Sequence, residues 1–212
     1  MTLASPPDFE QRFVMEDVDW EFYETVLQRV GDRHVFVTYD KGRLELMSPS
    51  YRHDRRAHLI GLLINVLGEE LLIGVMGGGS TTFRRKDKET GLEPDQCFYV
   101  QHVDAIRGKE EIDLAVDPPP DLAIEVEISR RMIKRIPLYA ALGVPELWRD
   151  DGKEVRAFQL DPTGEYKPIE KSFAFPMVSM SELTRLLKLS STMDDVQWMR
   201  AIRKEIKGKI AR

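Results

Sequence analysis

Carboxylates at alternate positions of one apolar run are the first place where this chain could do chemistry. The run Asp121-Leu122-Ala123-Ile124-Glu125-Val126-Glu127-Ile128 follows Pro119-Pro120. In a strand, alternate side chains share a face, so Asp121, Glu125 and Glu127 point one way while Leu122, Ile124, Val126 and Ile128 pack the other. An earlier step, Pro94-Asp95, opens a second apolar run, Gln96-Cys97-Phe98-Tyr99-Val100. Two acids on neighbouring strands, Asp95 and Glu125, offer hard oxygens to Mg²⁺ or Mn²⁺, with Glu45 as a third candidate and Glu127 as a looser one. Such an ion polarises a phosphate. Cations follow Glu125 closely, at Arg130, Arg131, Lys134 and Arg135. One of these would stabilise charge developing on the phosphate, and Lys134 and Arg135 are the candidates.

The elements that must position these residues are readable from periodicity. Residues 34–39 and 43–47 alternate as two strands around an Asp40-Lys41-Gly42 turn, which puts Glu45 on the face opposite Leu44 and Leu46. A helix from about Arg52 to Leu72 carries Leu59, Leu62, Leu63, Val66 and Leu67 at helical spacing, with Arg52, His53, Arg55, Arg56 and His58 in its first turns. Asp17 or Asp19 can cap a helix that ends at Gly31. Ser129 can cap a helix whose first turn is residues 130–133, placing Met132, Ile133 and Ile136 toward the sheet, while Pro137 threatens a kink. Residues 155–160 and 165–168 read as a hairpin around Asp161-Pro162-Thr163-Gly164. Ser181 is placed to cap a short helix, and Asp194 or Asp195 to open a final one rich in Arg and Lys. The Met76-Gly77-Gly78-Gly79-Ser80 stretch lacks the Lys-Ser/Thr of a phosphate loop.

These residues together resemble a known family. Glu93-Pro94-Asp95, Pro119-Pro120-Asp121-Leu122-Ala123-Ile124-Glu125-Val126 and residues 139–148 (YAALGVPELW) are similar to the Uma-type restriction-endonuclease family of the PD-(D/E)xK nuclease superfamily. So are residues 42–49 (GRLELMSP) followed by His53. The likeness runs from about residue 37 to 160. It implies an α+β, restriction-endonuclease-like fold: a mixed central β-sheet flanked by helices. It further implies Asp95 and Glu125 as ligands of Mg²⁺ or Mn²⁺, with the carbonyl of Val126 as a third. Where the superfamily pattern carries a lysine, two residues after the second acid, this chain has Glu127. The family's alternative basic position, four before the tyrosine, is Arg135, with Lys134 beside it. Arginine stabilises anionic charge but is a poor proton shuttle.

Composition bounds the remaining classes. The 212 residues can bury a substantial core, and 42% hydrophobic with 32% charged residues is ordinary for a globular chain. A net charge of -5 counts mildly against nucleic-acid binding as a whole-chain property, which leaves local patches to carry it. Arg52, Arg55, Arg56, Arg84 and Arg85 are candidate DNA-backbone contacts. The single cysteine, Cys97, excludes an internal disulfide and a cysteine-built zinc site, and it suits a cytoplasmic, reducing setting. No signal peptide or membrane span is visible, and no small-molecule cofactor motif is present. A sugar cleft is disfavoured by the 8% aromatic content. The organisation expected is an arm and helix over residues 1–30, a nuclease-like core over 31–172 and a helical extension over 173–212. The function expected is metal-dependent hydrolysis of DNA phosphodiesters by a homodimer. Its alternative is an inactive nuclease-fold domain that binds nucleic acid or protein, which Glu127 favours.

Overall fold

The computed structural model describes residues 10–129 and 132–211. Its elements, in chain order, begin with β1 (Gln11–Met15), α1 (Trp20–Val30), β2 (Phe36–Asp40), β3 (Arg43–Ser48) and α2 (Tyr51–Leu71). Four short strands follow, β4 (Met76–Gly77), β5 (Phe83–Arg85), β6 (Thr90–Leu92) and β7 (Gln96–Tyr99), then α3 (Val103–Ile106) and β8 (Leu122–Val126). The chain continues through α4 (Ile136–Leu142), β9 (Glu146–Asp150), β10 (Val155–Leu160), β11 (Tyr166–Ile169), α5 (Met180–Leu189) and α6 (Asp195–Ile210).

The strands form two sheets. The smaller has the order β1-β3-β2-β6-β5, and the larger the order β11-β10-β9-β8-β7-β4. In the larger sheet β8 and β9 are parallel and every other pair is antiparallel, so it is mixed. The parallel pair needs a crossover, and α4 lies in that connection. β8 reads as an apolar run because it is central: all five of its residues are buried.

Local signals explain most boundaries. Asp19 caps α1 by accepting the N–H of Phe22, and Ser50 caps α2 by accepting that of His53. Lys41 and Gly42, both at positive φ, make the two-residue turn between β2 and β3. The short helix near Ala105, the hairpin of β10 and β11, and the Asp194 cap of α6 agree with expectation. Two expectations are corrected. Ser179, not Ser181, caps α5, because Glu182 stands three residues later and its side chain returns to the Ser179 N–H. The helix after Glu125 starts at Ile136, not at residue 130. Arg130 and Arg131 lie outside the described residues, and Met132 to Arg135 are not helical. Pro137 then falls in the first turn of α4, where no N–H is missed and no kink results. The terminal arm at residues 5–8 also lies outside the described residues.

On one side of the larger sheet, α2, α5 and α6 pack Leu63, Leu67, Leu183, Leu187, Trp198 and Ile202 against Leu122, Ile124, Val126 and Trp148. On the other, Ala123, Leu147, Ile133, Leu138 and Tyr139 form a second cluster with Phe83 and Leu92. The acid-bearing face of β8 belongs to this second side. No described helix is long and apolar enough to cross a membrane.

Candidate active site

Asp95 immediately precedes β7, and Glu125 lies on β8, in the adjoining antiparallel strand. The Asp95 N–H donates to the carbonyl of Ile124, and Asp95 Oδ2 accepts the N–H of Val126 at 2.6 Å. One main-chain bond and one bond from the Val126 N–H to the Asp95 carboxylate therefore hold the two acids side by side. Both are almost fully buried, at 4% and 2% exposure, so neither charge can rely on water.

The neighbours of each acid account for that burial. Arg135 NH1 stands 3.2 Å from Glu125 Oε1, and the Tyr139 hydroxyl donates to Glu125 Oε2 at 2.6 Å. His53 Nε2 lies 3.2 Å from Asp95 Oδ2. A cation or a donor thus stands against each acid. Arg135 is itself buried and also donates to the main-chain carbonyl of Glu93. Burial alone would lower its pKa. The charges of Glu125, Tyr139, Asp95 and Glu45 overcome that and hold the guanidinium firmly protonated. Burial pushes the Tyr139 hydroxyl well above its usual range, Arg135 opposes this, and Glu125 and Asp95 reinforce it, so Tyr139 stays a donor.

The two basic candidates are placed differently. Arg135 faces the acids, whereas Lys134 is exposed and stands at the rim. The rim belongs to a cavity of about 400 Å³ lined by Glu125, Glu127, Lys134, Arg135, Ile136, Pro137, Tyr139, Leu147 and Arg149. Glu127, at the position where a lysine would stand, pairs with Arg149. A larger cavity, about 1130 Å³, lies between β10, β11 and α5, away from every acid of the site.

Other candidates are placed differently. Glu45 is buried next to the site, but its oxygens are engaged by Arg12 at 2.7 Å and by the N–H groups of Met132 and Ile133 at 3.0 and 3.3 Å. It anchors the segment leading to Arg135. Asp121 turns away from Glu125: one of its oxygens accepts the N–H groups of Val100, Gln101 and His102. Of the arginines expected on DNA, Arg55 pairs with Asp195, Arg56 with buried Asp150, Arg84 with Glu24 and Arg85 with Asp87.

Sequence reasoning missed the contacts of His53 and Tyr139. Their signals were present: a histidine in the first turn of a helix behind Glu45, and a tyrosine one helical turn beyond Arg135.

In kind, the donor set suits a hard cation, since Asp95 and Glu125 present carboxylate oxygens from rigid strands. In arrangement, one Glu125 oxygen faces Arg135 and the other Tyr139. No group of three His, Cys, Asp or Glu among the described residues is disposed to hold a metal.

The Uma2 family model, described as "Putative restriction endonuclease", matches residues 20–193. No curated protein matches the chain. Four chains among solved structures are similar. One is the "Crystal structure of a putative nuclease belonging to DUF820 from Anabaena variabilis ATCC 29413", with 17% identity and a TM-score of 0.50, covering 71% of this chain and 90% of that one. At that identity the likeness speaks for the fold, which is α+β and restriction-endonuclease-like. With most of its length matched by the family model, this chain belongs to the Uma2 family.

Proposed function

We propose that this protein is a nuclease that hydrolyses DNA phosphodiester bonds with Mg²⁺ or Mn²⁺, held by Asp95, Glu125 and the main-chain carbonyl of Val126. The observation that carries the reading is the pair of buried carboxylates, Asp95 just before β7 and Glu125 on β8, with one buried arginine against Glu125 and a cavity opening beside it. When bound, the ion supplies Lewis acidity toward the phosphate oxygens. Tyr139 holds Glu125 in place through its hydrogen bond, and His53 fixes Asp95 from the other side. Arg135, buried against the acid pair, would stabilise charge developing on the phosphate in the transition state. Lys134, at the rim, meets the substrate backbone. Two copies acting together suit the two strands of a duplex.

The test is cleavage of supercoiled plasmid alongside Mn²⁺ calorimetry. Wild type is expected to nick in Mg²⁺ or Mn²⁺ and not in EDTA, while Asp95→Ala neither binds Mn²⁺ nor cleaves. Arg135→Ala is expected to lose roughly 10²-fold in rate, and Lys134→Ala far less. Cleavage in EDTA, or Mn²⁺ bound equally by Asp95→Ala, would sink the assignment. A second reading, an inactive nuclease-fold binding protein, draws on the ion pair of Glu127 with Arg149 where a lysine would serve. It predicts DNA binding by wild type without cleavage under either ion.

A further inference from the structure

Three strands of the larger sheet set one row of side chains across the molecule. Glu125 on β8 stands beside Arg149 on β9, and Arg149 stands opposite Arg156 on β10. Partners in register point to the same face. Adjacent strands are about 4.8 Å apart, so the two arginines stand one and two spacings from the acid. The cavity beside Glu125 shares Glu127 and Arg149 with a second one, about 190 Å³, lined further by Asp151, Glu154, Arg156 and Phe158. The row is therefore one continuous surface leading away from the acid pair.

Two arginines directly opposite each other on antiparallel strands repel, and a fold gains nothing from the arrangement. Here each is held by a carboxylate, Arg149 by Glu127 and Arg156 by Glu154. Arg149 also lies 6.0 Å above the centre of the Phe158 ring. Side-chain exposures of 32% and 28% in the first pair, and 64% and 47% in the second, leave both open to water. Exposed pairs of this kind hold weakly, so a phosphate can take the place of either carboxylate.

We propose that this row is a binding track for the phosphodiester backbone of a DNA strand. The strand crosses β8, β9 and β10 rather than running along them. One phosphate lies at the acid pair, and the phosphates that follow it sit on Arg149 and Arg156. Glu127 and Glu154 hold the arginines extended until DNA arrives. The inference rests on the nuclease reading and adds the path of the substrate.

The experiment is the salt dependence of binding to a short DNA duplex, in EDTA and again in Ca²⁺. The slope of log K against log salt is about −0.9 for each phosphate neutralised. Arg149→Gln with Arg156→Gln is expected to reduce the slope by about 1.8. Arg185→Gln with Lys188→Gln, at the cavity beside α5, is expected to leave it unchanged. Glu127→Gln with Glu154→Gln is expected to tighten binding by removing the competing carboxylates. If the double arginine variant melts early, Arg156→Gln alone carries the test with half the change. An unchanged slope in the arginine variants overturns the track and leaves the nuclease reading standing. Absence of DNA binding by wild type overturns both.

Discussion

At the scale of single residues, Glu125 faces a buried cation and a buried hydroxyl at once. Glu125→Gln keeps an acceptor for Tyr139 but leaves Arg135 without its closest counter-charge. Breaking one side of a buried ion pair typically costs about 3–5 kcal/mol. The variant is therefore expected to lose stability of that order in urea unfolding, with the folded state otherwise preserved. A loss within experimental error would show that Asp95 and Glu45 alone compensate Arg135. The alternation of acids and aliphatic residues on β8 was legible in the sequence, and so was the cation four residues before Tyr139. What was not legible is who faces whom. The pairing of Arg135 with Glu125, and of His53 with Asp95, depends on how α2 and the segment before α4 pack on the sheet, and spacing along the chain does not encode that.

At the scale of elements, helix ends were easier to read than the long connection after Glu125. Asp19, Ser50 and Asp194 cap their helices through local bonds that short sequences specify. The spacing of Met132, Ile133 and Ile136 after a possible Ser129 cap predicts helix through residues 132–135. Glu45 instead takes the N–H groups of Met132 and Ile133, a tertiary contact that competes with the first helical turn. The cap of α5 carries a pH prediction. Burial alone would raise the Glu182 pKa, but Lys209 from α6, with the Ser179 N–H and hydroxyl, outweighs it and brings it down to about 2. A carboxyl lowered on folding stabilises the protein above its unfolded pKa, here 4.5, and that contribution is lost as pH falls toward about 2. Wild type is therefore expected to show a steeper fall in melting temperature between those values than Glu182→Gln. Parallel curves for the two proteins would show that Glu182 is not the group responsible.

At the scale of the whole molecule, α5 and α6 share the core with α2 and β8, so the end of the chain belongs to the body that holds the acids. The proposed pairing of two copies is checked by light scattering at micromolar concentration. The expected mass is twice that of the 24.5 kDa chain, and a monomer mass would remove the pairing. The cluster on the other side of the sheet holds Cys97, which is fully buried with its thiol pushed up to about 12, chiefly by burial. A thiol so placed stays protonated and out of reach of electrophiles. The chain is in effect silent toward maleimides, so a cysteine introduced at exposed Lys134 becomes the one handle for a fluorophore. Placed at the rim of the cavity, that dye would report the arrival of an ion or a nucleic-acid strand in real time, with no native cysteine to remove first.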